Sequence, residues 1–489
     1  MKRIKYILLG LVASSFVLQS CSEDKMDDIN KNQNDPEFME SKYIITDVMN
    51  SSAYNGIGGD LAFYASVYTE LLGGAHAQMH NAQARLNEPI ANTTYNNNWN
   101  SLYRNLRNLH IIINKCSEGG EEAGNYHTLG VAQIMTAFNL GILTDLFGDI
   151  PYFEALRPLE NPQAKLDKQE DIYKEIFRLL DESIANLDKT SKYGSLGNQD
   201  IIYSGGNVKS WKKAAYGLKA KYLMRLSAVQ PNYQAVLDNV ALSFENSAQD
   251  FRYQNGKVDY TFYNFYDSRA GLASSKTLFD LMSSIDPQDP RLNDYFVKIG
   301  EGDAAKEIKL IDHSTDVAIG QALYSPSGLS YFTDNDDRNA RNAIYLMSYH
   351  ELLFIKAEAE ARLNKTADAV ETLKLAVEAG LNKKQTFTYP GYVRNIPASL
   401  SGLDLLKRIA QEKYISFFEV ESIEAFNDIR RWKAMGENLI ELKHRNPELF
   451  PKRYPYGNSD VSNNPNVRAA YGDGSYVYTE NVWWAGGTR

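Results

Sequence analysis

Between Tyr260 and Arg269 the chain gathers Tyr260, Phe262, Tyr263, Asn264, Phe265, Tyr266, Asp267 and Arg269 into ten residues. A tyrosine ring offers a flat apolar face with a hydroxyl at its edge, and planar amides, carboxylates and arginine bond hydroxyl groups. The mixture therefore suits a ligand that stacks and hydrogen-bonds at once, such as a sugar or a peptide. The bland alternative is a half-buried strand whose alternation hides every second ring. Tyr263, Phe265 and Tyr266, with Asn264 and Arg269, are the candidate ligand contacts here.

A second polar cluster, His76, Gln78, His80, Asn81 and Gln83, lies close to Tyr64. His76 and His80 have the i, i+4 spacing of two zinc ligands on a helix, but no third ligand stands nearby, so sugar or solvent contact is preferred to a metal. Tyr324 and Tyr331 are weaker loop candidates. Trp99 opens a helical pattern and reads as core.

The marks of catalysis are sparse. The chain has no Gly-x-Ser-x-Gly elbow, no phosphate-binding Gly-rich loop and no Cys-x-x-Cys pair. His350-Glu351 begins like a zinc-protease motif, but Phe354 occupies the place of the second histidine. Asp334 to Arg341 lacks the glycine and spaced final glutamate of an EF-hand loop. No cofactor is expected, with calcium elsewhere left open. Glycoside hydrolysis needs only two carboxylates, and 61 acidic residues supply many pairs, so a hydrolase stays an alternative to binding.

The elements that must carry these clusters begin after an export signal. Lys2, Arg3 and Lys5 precede an apolar run from Tyr6 to Val17, then Leu18, Gln19, Ser20 and Cys21. The run is too short to span a bilayer, which takes about 20 apolar residues. Residues 1–20 read as a lipoprotein signal peptide, Cys21 as the acylated N-terminus and 21–40 as a tether, with an acidic start at Ser22-Glu23-Asp24. With Cys21 acylated, Cys116 has no partner, and no disulfide framework supports the fold. The net charge of -9 argues against nucleic acid and against anionic membrane surfaces.

Helical periodicity predicts a mostly α chain, with helices at about Lys42 to Leu72, Trp99 to Lys115, Tyr126 to Phe147, Lys168 to Leu187, Ser210 to Leu226 and Pro231 to Ser243. Tyr349 to Ala379 reads as a tetratricopeptide-like hairpin broken at Asn364 and Lys365, where Ala357, Ala359 and Ala361 permit close helix approach. Residues 41–489 are thus expected to form a single domain, an α-α superhelix of helical pairs. Loop-rich insertions at about 244–347 and 437–489, and the loop Gly73 to Asn98, would supply the ligand-binding portion. The helical pairs alone would also suit a scaffold for protein partners.

Ile29 to Pro36, Trp99 to Tyr103, Leu143 to Tyr152 and Ser210 to Ser227 resemble motifs of the SusD/RagB outer-membrane lipoproteins. Asp289-Pro290-Arg291, Met347 to Arg362 and Ile409 to Trp432 continue the series. The resemblance implies a cell-surface lipoprotein that binds a nutrient, a glycan or in some relatives a peptide, without catalysis. It implies as partner a SusC-like TonB-dependent outer-membrane barrel, and it places His76 to Gln83 in the family's variable early loop. Most of the motif residues read as structural: Asp145 and Asp149 would satisfy backbone donors, and Arg430 and Arg431 would brace helix ends.

Overall fold

Where two glycines follow one another a helix loses its best reason to continue, because glycine gives up the most backbone entropy. The periodic stretch from Lys42 is accordingly not one helix. In the computed structural model, which describes residues 39–85, 92–157, 160–253, 262, 265, 269, 271–300, 306–328, 343–383 and 392–489, it divides at Gly58 and Gly59. Helix α1 (Ser41–Ser51) runs into a wider π-helical turn (Ser52–Ile57), and α2 (Asp60–Tyr68) restarts beyond the glycines. The stretch read as the loop Gly73 to Asn98 holds strand β1 (Leu72–Gly74) and helix α3 (Ala77–Ala84).

The scaffold follows: α4 (Asn96–Cys116), α5 (Tyr126–Phe147), α6 (Gln169–Leu187), α7 (Val208–Arg225) and α8 (Tyr233–Val240). The middle region carries strand β2 (Phe251–Tyr253), strand β3 (Leu272–Ser274), helices α9 (Lys276–Ile285) and α10 (Arg291–Tyr295), and strand β4 (Ile344–Met347). Four longer helices come next, α11 (Tyr349–Arg362), α12 (Thr366–Lys383), α13 (Gly402–Ser416) and α14 (Ser422–Ala434). Short turns of helix, α15 (Asn458–Asn463), α16 (Pro465–Tyr471) and α17 (Tyr476–Thr479), occupy the late region that the sequence marks as loop. The strands form two antiparallel pairs, β1 with β3 and β2 with β4.

Successive helices pack on one another: α4 on α5, α5 on α6, α6 on α7, α7 on α8, and α11 on α12 and α13. In α6 the stripe Ile172, Ile176, Leu179, Leu180 and Leu187 is buried, each such side chain contributing about 1.5–3 kcal/mol. The α11–α12 hairpin turns at Asn364, which adopts a left-handed φ of 59°, while Lys365 donates its N–H to the Glu360 carbonyl at 2.9 Å. Helix α5 is long and apolar enough to cross a membrane, yet from Thr128 to Phe147 it is buried as the core helix. Trp99 is core as well, its Nε1 donating to Asp460 at 2.7 Å.

The motif residues lock these layers together. Arg431 on α14 reaches Glu358 on α11 at 2.7 Å and Asp428 at 3.1 Å. Arg225 on α7 joins Asp145 on α5 at 3.2 Å and also pairs with Glu424 on α14. Lys221 meets Glu351 at 3.0 Å. Asp149 accepts the Gln169 N–H at 2.8 Å, as a backbone-capping role requires. Asp145 differs: its carboxylate serves Arg225 and the Tyr173 hydroxyl, because the buried guanidinium needs a counter-charge more than the helix end needs a cap.

Candidate ligand-binding face

Strand β1 leaves α2 through Glu70, held at a φ of 61°. The Glu70 carboxylate accepts the N–H groups of Lys443 and His444 at 2.8 and 2.9 Å and the Thr277 hydroxyl at 2.6 Å, which fixes the strand's entry. In the β1–β3 pair Leu72 faces Ser274 and Gly74 faces Leu272. Ala75 then donates its N–H to the Gly271 carbonyl at 2.8 Å and accepts from Gly320 N at 2.9 Å. Three segments far apart in sequence therefore meet at one residue, and each carries a candidate cluster. Two glycines make this approach feasible: a Cβ on Gly73 would lie 2.6 Å from the Ile311 side chain, and one on Gly74 would collide with the Met79 carbonyl.

Around Ala75 the structure brings together His76 and Gln78, both exposed, and the half-buried His80 and Tyr324. His80 Nε2 lies 3.0 Å from the Val317 carbonyl, tying α3 to the 317–324 loop, and the Tyr324 hydroxyl accepts the Ala318 N–H at 3.0 Å. Arg269, exposed, follows Phe262 and Phe265 toward Gly271 and extends its charge toward Asp60 at the start of α2. Burial pushes the Asp60 carboxyl above its ordinary value, and Arg269 opposes that push. Ile319 and Leu323, 64 % and 50 % exposed, add an apolar edge.

Two candidates turn out to be core. Tyr64 is 7 % exposed, its ring edge-on to Tyr95 at 5.1 Å, and burial followed by the neighbouring Asp60 pushes its hydroxyl well above the ordinary tyrosine range. Phe265 is 9 % exposed and lies tilted on Phe63 at 4.2 Å, while Phe262 meets the same ring edge-on at 5.0 Å. Phe262, Phe265 and Arg269 have helical backbone, so the rings are buried with the spacing of a helix and not by the alternation of a strand. The zinc-like spacing dissolves too. His76 precedes α3 with an extended φ of -151°, so the two histidines do not share a helix face. Among the described residues no group of three or more His, Cys, Asp or Glu is placed to hold a metal ion. Tyr263, Asn264, Tyr266, Tyr331 and Cys21 lie outside the described residues.

Asp60, Ile319 and Leu323 escaped the sequence reading. Asp60 had a signal, standing four residues before Tyr64 on the same helix. Ile319 and Leu323 had none, since a loop's apolar residues do not announce which of them are left outside. The resulting face offers imidazole, carboxamide, guanidinium and carboxylate groups beside apolar side chains. These are groups that orient a polar ligand.

The architecture is thus a superhelix of helical pairs bearing a loop-built polar face. Residues 33–456 match the family SusD-like_2, described as starch-binding associating with outer membrane. A SusD/RagB family protein from Bacteroides thetaiotaomicron VPI-5482 is 35 % identical with a TM-score of 0.83, over 92 % of this chain and all of that one. A chitin-binding SusD homologue from Flavobacterium johnsoniae shares the fold at 19 % identity and a TM-score of 0.70, over 90 % of this chain and 98 % of that one. Another chitin-binding protein shares it at 22 % identity and a TM-score of 0.71, over 91 % and 100 %. A search of curated proteins gave no match. The chain belongs to the SusD family of nutrient-binding proteins.

Proposed function

We propose that this chain is a lipoprotein of the outer membrane, acylated at Cys21 and facing the cell exterior, which captures a glycan without turning it over and delivers it to a SusC-like TonB-dependent barrel. The observation that carries the binding role is the meeting of three separate segments at Ala75, which sets the exposed His76 and Gln78 beside the 317–324 loop that carries Tyr324, with Arg269 two residues before Gly271. The family's description supports the starch-like ligand class and the outer-membrane setting. Support for the anchor comes from the basic, apolar and Cys21-terminated start of the chain. The family match favours binding over turnover, so a glycoside hydrolase is the weaker reading.

Peptide capture is the second reading, and the exposure of the apolar Ile319 and Leu323 favours it. Calorimetric titration of the mature protein against soluble oligosaccharides, polysaccharides and oligopeptides separates the two. Saturable glycan binding without new reducing ends, weakened by H76A, Q78A and R269A, is the expected result. A peptide-only isotherm replaces the ligand class, and release of products from the glycan overturns the non-enzymatic role.

A further inference from the structure

Helices α5 and α6 and the connection between α4 and α5 line a groove of about 580 Å³. That volume falls in the range of about 300–1,000 Å³ that small-ligand clefts occupy. No residue of the face around Ala75 contributes to it. Its floor holds two buried amides fixed end to end: Asn186 Nδ2 donates to Gln133 Oε1 at 2.9 Å, and Gln133 Nε2 donates to Glu182 at 3.0 Å. Lys189 Nζ closes the ladder by donating to Asn186 Oδ1 at 2.8 Å. Tyr126 forms a wall, half-buried, with Lys189 Nζ 4.7 Å from its ring centroid. Tyr193, 41 % exposed, follows the groove residue Lys192 and sets its hydroxyl 3.5 Å from the Glu121 carbonyl.

We infer that this groove is a second saccharide site, taking a short neutral oligosaccharide. Amides whose orientation is already locked lose little freedom on meeting sugar hydroxyls, and each keeps acceptor capacity beyond the bond it makes. The Tyr126 ring suits C–H stacking once Lys189 leaves it, and Asn186 keeps its bond to Gln133 when Lys189 does so. A charged sugar fits worse, because Glu118 and Glu182 line the groove opposite Lys189 and Lys192. The inference extends the reading of the chain as a saccharide binder but uses wholly different residues.

The test is calorimetry of the mature protein with neutral malto-, cello-, xylo- and chito-trisaccharides, repeated for Tyr126→Ala, Tyr193→Ala and Arg269→Ala. A binding event weakened at least fivefold by Tyr126→Ala and untouched by R269A is expected, with a smaller loss from Tyr193→Ala, which stands beside the groove and outside its lining. Saturation should also shift the Lys189 side-chain NMR signals, which the Tyr126 ring perturbs, and this readout serves if Y126A fails to fold. Binding that responds only to R269A overturns the second site and leaves the first intact. Binding that responds only to the tyrosine variants removes the first face as a trisaccharide site instead, and a panel with no binding removes the second site.

Discussion

At the residue scale the proposed binding face depends on which side chains stay exposed. His76, Gln78 and Arg269 do, so alanine at each should weaken ligand binding by about 1–2 kcal/mol, roughly fivefold to thirtyfold, with the melting temperature unchanged. Tyr64→Phe should leave affinity unaltered, because the hydroxyl lies inside, and a titration matching the parent's would confirm it. The sequence showed that Tyr64 and Phe265 belong to an aromatic-rich neighbourhood but could not show which way each ring turns. Stacking on a ligand and stacking on Phe63 or Tyr95 draw on the same apolar surface, and only the packing decides. Arg269 and Gln78 were legible for the opposite reason: charged and amide groups are seldom buried without partners.

At the element scale the helices were readable because their apolar stripes are long, as in α6, and the hairpin at Asn364 because its punctuation is local. Strands β1 and β3 were not, since three residues are too few for a period to appear and their pairing depends on a partner two hundred positions away. That short pair positions α3 and the 317–324 loop together. Gly74→Ala should therefore cost about 2–3 kcal/mol through its clash with the Met79 carbonyl, and should weaken binding though no ligand group is lost. Hydrogen exchange should show faster opening at Ala75 and along α3 in this variant, with α5 unaffected.

At the scale of the whole molecule the helices are held by ions within the core. Arg431→Met takes one partner each from Glu358 and Asp428, leaving Glu358 to Arg362 and Asp428 to Lys413, and should cost up to about 3 kcal/mol, measured by urea unfolding. The network also predicts a stability dome in pH. Burial works against the Glu424 charge, but Lys221 and Arg225 hold its carboxyl below the ordinary value of 4.5; for buried Glu358, Arg431 and Arg362 do the same. A depressed folded value gives stability present above the unfolded one and lost as pH falls below it. Burial raises Glu351 despite Lys221, so its contribution is full below 4.5 and lost as pH rises. Glu351→Gln should accordingly lose less stability than the parent between about pH 5 and 9, and parallel melting curves would disprove the assignment.

The same bonds that fix the face set a timetable for making it. Tyr414 reaches back 345 positions to Thr69, His444 reaches 374 to Glu70, and Tyr454 reaches 393 to Leu61. Closing loops of that length is slow, so α2 and β1 must wait for the late region before they settle. Before Leu272 to Ser274 arrive, two hundred positions on, Leu72 and its neighbours present an unpaired strand edge. A chain passing through the cell envelope in order would need that edge shielded for most of its journey, which makes refolding yield more sensitive to concentration than the stability of the finished protein suggests.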